Sequence, residues 1–145
     1  MEGTVQRIEV SLEPQHVYEI ALDLDAYPEW ADGVKSVDVT EEDDHGRPLQ
    51  ADFTVDGMIK EISYTLKYNF ESESGFAWSA IPNDDINELE GSYEFNALDE
   101  GGTEVVYALR VDPAFKVPGF LRRQAEKQIV GTALRGLKKR AEAEA

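Results

Sequence analysis

The sequence predicts an α+β domain in which one antiparallel sheet is covered by a single long helix. Three observations lead there. Six stretches in the middle of the chain alternate apolar and polar residues at the strand period. Turn residues separate them by only a few positions, which makes neighbouring strands antiparallel. From about Val117 onward the apolar period becomes helical. A sheet with one apolar face needs a cover, and this last helix is the only predicted element long enough to provide it.

Taken in order, Thr4 to Leu12 reads as the first strand, with Ile8, Val10 and Leu12 alternating against Arg7, Glu9 and Ser11. Pro14 suits the first turn of a helix, and Val17, Ile20, Ala21 and Leu24 form its apolar stripe. Pro28 disfavours helical geometry at Tyr27, so the segment Asp25 to Trp30 is expected to break that helix into two short ones. Strands are then predicted at Val34 to Thr40, Leu49 to Val55, Ile59 to Phe70 and Phe76 to Ile81. Asp56-Gly57 marks a hairpin, and Pro82 to Asp85 a longer turn. Leu89, Gly91, Tyr93 and Phe95 alternate along the next strand. Val105, Tyr107, Leu109 and Val111 follow the Glu100-Gly-Gly turn. In the terminal helix, Val130, Ala133, Leu134, Leu137 and Ala141 make one stripe, which Leu121, Ala125 and Ile129 extend on an adjoining face.

A chain of 145 residues is the size of one domain, so residues 1–145 are expected to form one unit with one core. The absence of cysteine removes disulfides and thiolate sites, and the N-terminus carries no signal-peptide pattern. No apolar run is long enough to span a bilayer, so a cytoplasmic protein without a membrane span is expected. The formal charge is −16, from 30 acidic and 14 basic residues, and it opposes binding to DNA. Seven basic against three acidic residues lie after Leu121, so that segment is positive and the rest of the chain is near −20. A solvated helix face lying against an acidic body is the expected arrangement.

The apolar strand faces hold Phe53, Val55, Ile62, Tyr64, Leu66, Tyr68, Phe70, Phe76, Trp78, Tyr93, Phe95, Tyr107 and Leu109. One aromatic on an alternating strand is ordinary core. Four phenols on a single inward face are not, because each buried hydroxyl without a partner costs about 1–3 kcal/mol. They point to a wet cavity or to several hidden partners. Gly131 and Gly136 inside the terminal helix imply close approach, a bend or open space beneath it. None of those inward strand positions carries Asp, Glu, His, Lys or Arg. His16 and His45 are expected at the surface, and the run Glu41 to Asp44 as a solvated turn without calcium-loop spacing. No metal site and no cofactor is expected.

The segment from Arg7-Ile-Glu-Val through Pro14, Val17, Tyr18, Leu22, Asp23-Leu-Asp25, Tyr27-Pro-Glu-Trp30 and Val34 to Val39 is similar to the start of a known family. So are Gly91-Ser-Tyr-Glu-Phe95, Gly102-Thr-Glu-Val-Val-Tyr107, Asp112-Pro113, Pro118 and the terminal helix. Together they resemble the polyketide cyclase/dehydrase and coenzyme-Q-binding START-type proteins of the SRPBCC (START/Bet v 1-like) superfamily. The resemblance covers nearly the whole chain. It implies a helix-grip fold: a curved antiparallel sheet of about seven strands around a long C-terminal helix, with two short helices after strand 1 and a cavity between sheet and helix. It also implies a lipid, sterol, quinone or polyketide-like ligand. Aromatase/cyclases of this kind place an arginine inside the cavity, whereas Arg110 and Lys67 both have outward parity here.

The expected function is binding of a hydrophobic small molecule in an internal cavity. Trp30, Phe53, Tyr64, Leu66, Tyr68, Trp78, Tyr93, Tyr107, Ile129 and Ala133 are the candidate ligand-binding residues. No catalytic residue is assigned. An aromatase/cyclase or dehydratase is the alternative; in it a phenol would donate to a substrate carbonyl as charge develops. Some relatives of the coenzyme-Q-binding type act on ribosomes, so a ribosome or protein contact through the basic helix is the third reading. The −16 charge opposes it.

Overall fold

The computed structural model describes residues 3–56 and 60–143. The predicted hairpin residue Gly57 and the predicted strand start at Ile59 lie outside the described residues. Seven strands form one antiparallel sheet: β1 (Thr4–Val10), β2 (Val34–Glu42), β3 (Pro48–Asp56), β4 (Glu61–Asn69), β5 (Gly75–Ala80), β6 (Ile86–Ala97) and β7 (Thr103–Pro113). Their spatial order is β1-β7-β6-β5-β4-β3-β2. Strands β2 to β7 are therefore a simple meander, and β1 closes on its last member with Ile8 opposite Val105. The fold is the predicted helix-grip type, a curved sheet with a long helix across it.

Between β1 and β2 lie α1 (Pro14–Leu22), a short 3-10 turn and α2 (Tyr27–Trp30). The expected interruption exists, but it falls at Asp23, whose ψ of 79° is not helical. Tyr27 itself is helical, at φ −53° and ψ −42°. Pro28 does not break α2, because it occupies the first turn, where a proline's missing N–H leaves no bond unmade.

Helix α3 (Gly119–Ala143) begins two residues later than Val117. The Pro118 carbonyl accepts the N–H groups of Leu121 and Arg122 and so starts the helix, while the ring of Pro118 disfavours helical geometry at Val117. Its C-terminal half carries the core stripe Val130, Leu134, Leu137 and Ala141, each at most 2% exposed. Ile129 departs from expectation at 48% exposed. The helix rests on β1 and β7 at one edge of the sheet, and the 130/134/137/141 row packs into the core there, while Ile129 lies on the adjoining face, where it is left uncovered. The basic face meets acidic partners, with Arg140 3.3 Å from Glu29 and Arg122 3.8 Å from Asp112.

One charged residue on α3 is deeply buried. Glu126, 1% exposed, accepts the Val111 backbone N–H at 2.8 Å and the Thr4 hydroxyl at 3.3 Å. Its carboxylate ties the N-terminal half of α3 to β7 and β1, where apolar contacts are few.

The core fills one end of the space between sheet and helix. Phe76, 1% exposed, packs against Tyr18, Tyr68, Phe70, Trp78, Tyr93 and Phe95 with ring centroids 5.6–6.2 Å apart. Val17 and Ala21 of α1 close that end, both fully buried. The other end is open.

Candidate functional site

Strand parity turns the inner residues of β3 to β7 to one face of the sheet, and the part of α3 that meets them across the cavity is its middle, Gln128 to Ala133. The register then sets them side by side: Phe53 opposite Tyr64, Tyr68 opposite Trp78, Tyr93 opposite Tyr107. Between these walls and the helix lies a cavity of about 520 Å³, within the range of small-molecule sites. All ten candidate residues, from Trp30 to Ala133, lie on its walls. Ile129 is there too, exposed because it stands at the rim.

Close packing explains why the floor holds its shape. Trp78 sits within 5.5–6.0 Å, centroid to centroid, of Tyr68, Phe76, Tyr93 and Tyr107. Tyr93 and Tyr107 meet edge to face at 4.6 Å, a favourable aromatic geometry. Gly91 makes this possible: a Cβ there would fall 2.4 Å from the Trp78 indole. Gly136 does the same for the other tryptophan, since a Cβ would lie 2.9 Å from the Trp30 carbonyl oxygen. Of the readings open for Gly136, close approach is the one realised.

Among the described residues, the hydroxyls of Tyr64, Tyr68, Tyr93 and Tyr107 have no hydrogen-bond partner, and none is sealed away from the cavity. Tyr27 differs, donating its hydroxyl to the Ala21 carbonyl. Burial raises the pKa of all five, and each phenol except Tyr64 is raised further by charge repulsion from neighbouring phenols. They stay protonated at neutral pH and act there as hydrogen-bond donors, not bases. The Trp30 indole N–H is sealed without an acceptor.

The mouth lies where the α2–β2 loop, the end of β3 and α3 meet. Asp32, Gly33, Asp56 and Gln128 are its exposed rim. Among the described residues no Arg, Lys or His lines the cavity. Arg110 instead reaches Glu88 and Glu90 at 3.0 and 2.8 Å on the outer face, as its parity predicts. Among the described residues no group of three or more His, Cys, Asp or Glu could hold a metal ion. His16 and His45 are exposed, and Asp43 organises its turn by pairing with Arg47 at 2.7 Å. No helix among the described residues is long and apolar enough to cross a membrane.

Sequence reasoning missed part of the wall. Tyr27 was legible in the Tyr-Pro-x-Trp segment but was not assigned to the cavity. Val34, Val55 and Ile62 carried only an alternation signal, and their position at the mouth depends on where α3 lies.

Solved structures of low sequence identity share this fold. A START superfamily protein from Mycobacterium smegmatis superposes with a TM-score of 0.92 at 19% identity, covering 100% of both chains. The Zhui aromatase/cyclase from Streptomyces sp. R1128 gives 0.83 at 15% identity, over 97% of this chain and 93% of that one. A STAR-related lipid transfer protein from Xanthomonas axonopodis gives 0.70 at 14%, over 95% and 84%. Among curated protein sequences, none matches the chain significantly. The family model described as polyketide cyclase/dehydrase and lipid transport matches residues 10–138, nearly the whole chain, and this protein belongs to that family.

Proposed function

We propose that this protein binds a hydrophobic small molecule, of lipid, quinone or polyketide-like character, inside the cavity between the sheet and α3. The observation that carries the reading is the hollow itself: about 520 Å³, walled mainly by aromatic and aliphatic side chains, with a mouth beside α2. Apolar walls supply affinity and a few polar groups fix orientation. The names of the similar structures, a lipid transfer protein and an aromatase/cyclase, support the same class of ligand. A cyclase would also need a proton acceptor at the reacting carbon, and the cavity floor offers only protonated phenols. Binding is therefore the function the cavity supports best.

The test is titration with a neutral, environment-sensitive apolar dye such as Nile red. The wild type should bind it, and Tyr64→Ala and Trp78→Ala should each weaken binding roughly five- to thirtyfold, the effect of losing about 1–2 kcal/mol of apolar contact. Folded wild-type protein that binds no dye, or folded variants that bind as tightly, would reject the proposal.

A further inference from the structure

Helix α3 carries one row of residues at alternating spacings of three and four: Phe120, Arg123, Lys127, Val130, Leu134, Leu137 and Ala141. The last four members of the row are core. The first three are exposed, Phe120 at 64%. A phenylalanine turned to water, with two cations beside it on a row that elsewhere packs into the interior, is a surface that nothing among the described residues covers.

The charges at this end of the helix are unmatched as well. Among the described residues, Lys116, Arg123 and Lys127 form no ion pair, whereas Arg122 lies 3.8 Å from Asp112. Glu126 is the single acid between Ala114 and Ala141, and it is buried against the Val111 N–H. The rest of the chain is strongly acidic, but screening confines an exposed charge to about 8 Å at physiological ionic strength. A flat anionic surface laid against the first half of α3 therefore meets mainly cations.

Position selects the kind of surface. Gln128 and Ile129 follow Lys127 directly and stand at the rim of the cavity mouth. The patch thus borders the opening through which apolar molecules pass. Cations at the level of lipid phosphates, with an aromatic ring reaching the acyl boundary, are the arrangement by which a helix lies on a bilayer. An acidic protein would match the cations and leave their place beside the mouth without a reason.

We propose that the first half of α3, through Phe120, Arg123 and Lys127 with the preceding Lys116, docks on an anionic lipid bilayer. The cavity then exchanges its guest with the membrane instead of with water. Docking itself needs no guest; its purpose rests on the binding function proposed above.

Sedimentation with vesicles tests the docking. The wild type should bind phosphatidylcholine vesicles that contain phosphatidylglycerol, come off them at high salt, and bind pure phosphatidylcholine far more weakly. Phe120→Ala should weaken binding about tenfold, and Arg123→Glu/Lys127→Glu about thirtyfold or more. None of these side chains lines the cavity, so dye affinity in solution should stay as in the wild type. No binding to the anionic vesicles, equal binding to both kinds, or undiminished binding by the double variant would overturn the proposal. A dimer that Phe120→Ala dissolves, with no vesicle binding, would overturn it in favour of a second copy as the cover.

The rate of dye transfer tests the purpose. Protein loaded with Nile red should deliver it to anionic vesicles at a rate that rises with vesicle concentration. The double variant should deliver it at a constant rate, set by release into water. A constant rate in the wild type would overturn exchange with the membrane. Protein that takes up no dye but still sediments with anionic vesicles would reject the binding function and leave the docking standing.

Discussion

Gly91→Ala tests the packing on which the cavity floor depends. The new Cβ would sit 2.4 Å from the Cε2, Cζ2 and Nε1 atoms of Trp78. Carbon atoms in contact prefer about 3.5–4.0 Å, so the indole must move by about 1 Å. Tyr68, Phe76, Tyr93 and Tyr107 surround it at 5.5–6.0 Å, and the space left for movement is the cavity. Overpacking a rigid ring costs roughly 2–3 kcal/mol. The stiffer unfolded chain offsets about 0.5–1 kcal/mol of that. The net loss of about 1–2 kcal/mol lowers the melting temperature by roughly 3–8 °C in a domain of this size. Calorimetry measures the fall, and the near-ultraviolet circular dichroism of Trp78 should change with it. Because the displaced ring enters the hollow, dye binding should weaken in the same variant. A variant that melts with the wild type and keeps its tryptophan spectrum would refute the packing argument.

Alkaline titration should unfold the protein. Phenols in the unfolded chain lose protons from about pH 10, whereas burial raises the pKa of all six tyrosines in the folded state. The folded state thus holds more protons above that pH, and stability is complete below pH ~10 and falls as pH rises beyond it. Tyrosinate absorbance should appear together with loss of circular dichroism; smooth ionisation of all six in a folded protein would contradict it. Glu126→Ala strips the partly buried Val111 N–H of its acceptor and should cost about 1–2 kcal/mol in urea denaturation. Glu126→Gln keeps an oxygen there and should lose less, so equal losses would count against the hydrogen bond as the cause. The two helix glycines should respond with opposite signs. Gly131→Ala meets the far end of the Arg135 side chain at 3.0 Å and, at ordinary contact distance, the Gln6 side-chain oxygen at 3.5 Å, and should raise the melting temperature through up to ~1 kcal/mol of helix propensity. Gly136→Ala drives a Cβ to 2.9 Å from the Trp30 backbone oxygen and should lower it, with thermal unfolding deciding both.

Much of the fold was legible because it is written in local periods. The alternation of Tyr64, Leu66 and Tyr68, and of Tyr93, Phe95 and the facing Val105 and Tyr107, assigned strands and their inward faces together. A strand period of two leaves no other face for those residues. The seven strand residues of the candidate wall followed from the same parity, Ile129 and Ala133 from the helical period and Trp30 from the Tyr-Pro-x-Trp segment, and the ten lie around one cavity. Other features were illegible because they depend on partners far away in sequence. Ile129 continues a helical stripe, yet its exposure is set by α3 lying over β1 and β7. Glu126 reads as one more surface charge until Thr4 and Val111, 122 and 15 residues away, are brought to its carboxylate. The break before α2 was placed at a proline, where local preference is strongest, but backbone geometry moved it to Asp23.

By itself, then, the sequence determined the order of elements, the meander and the side of the sheet that carries aromatic residues and phenols. Tertiary structure alone decided that this side faces a hollow. Periodicity records which direction a side chain points, whereas an empty volume is a distance between two surfaces. Here that distance depends on helix α3, whose C-terminal half packs into the core while a buried carboxylate holds its N-terminal half across the open end.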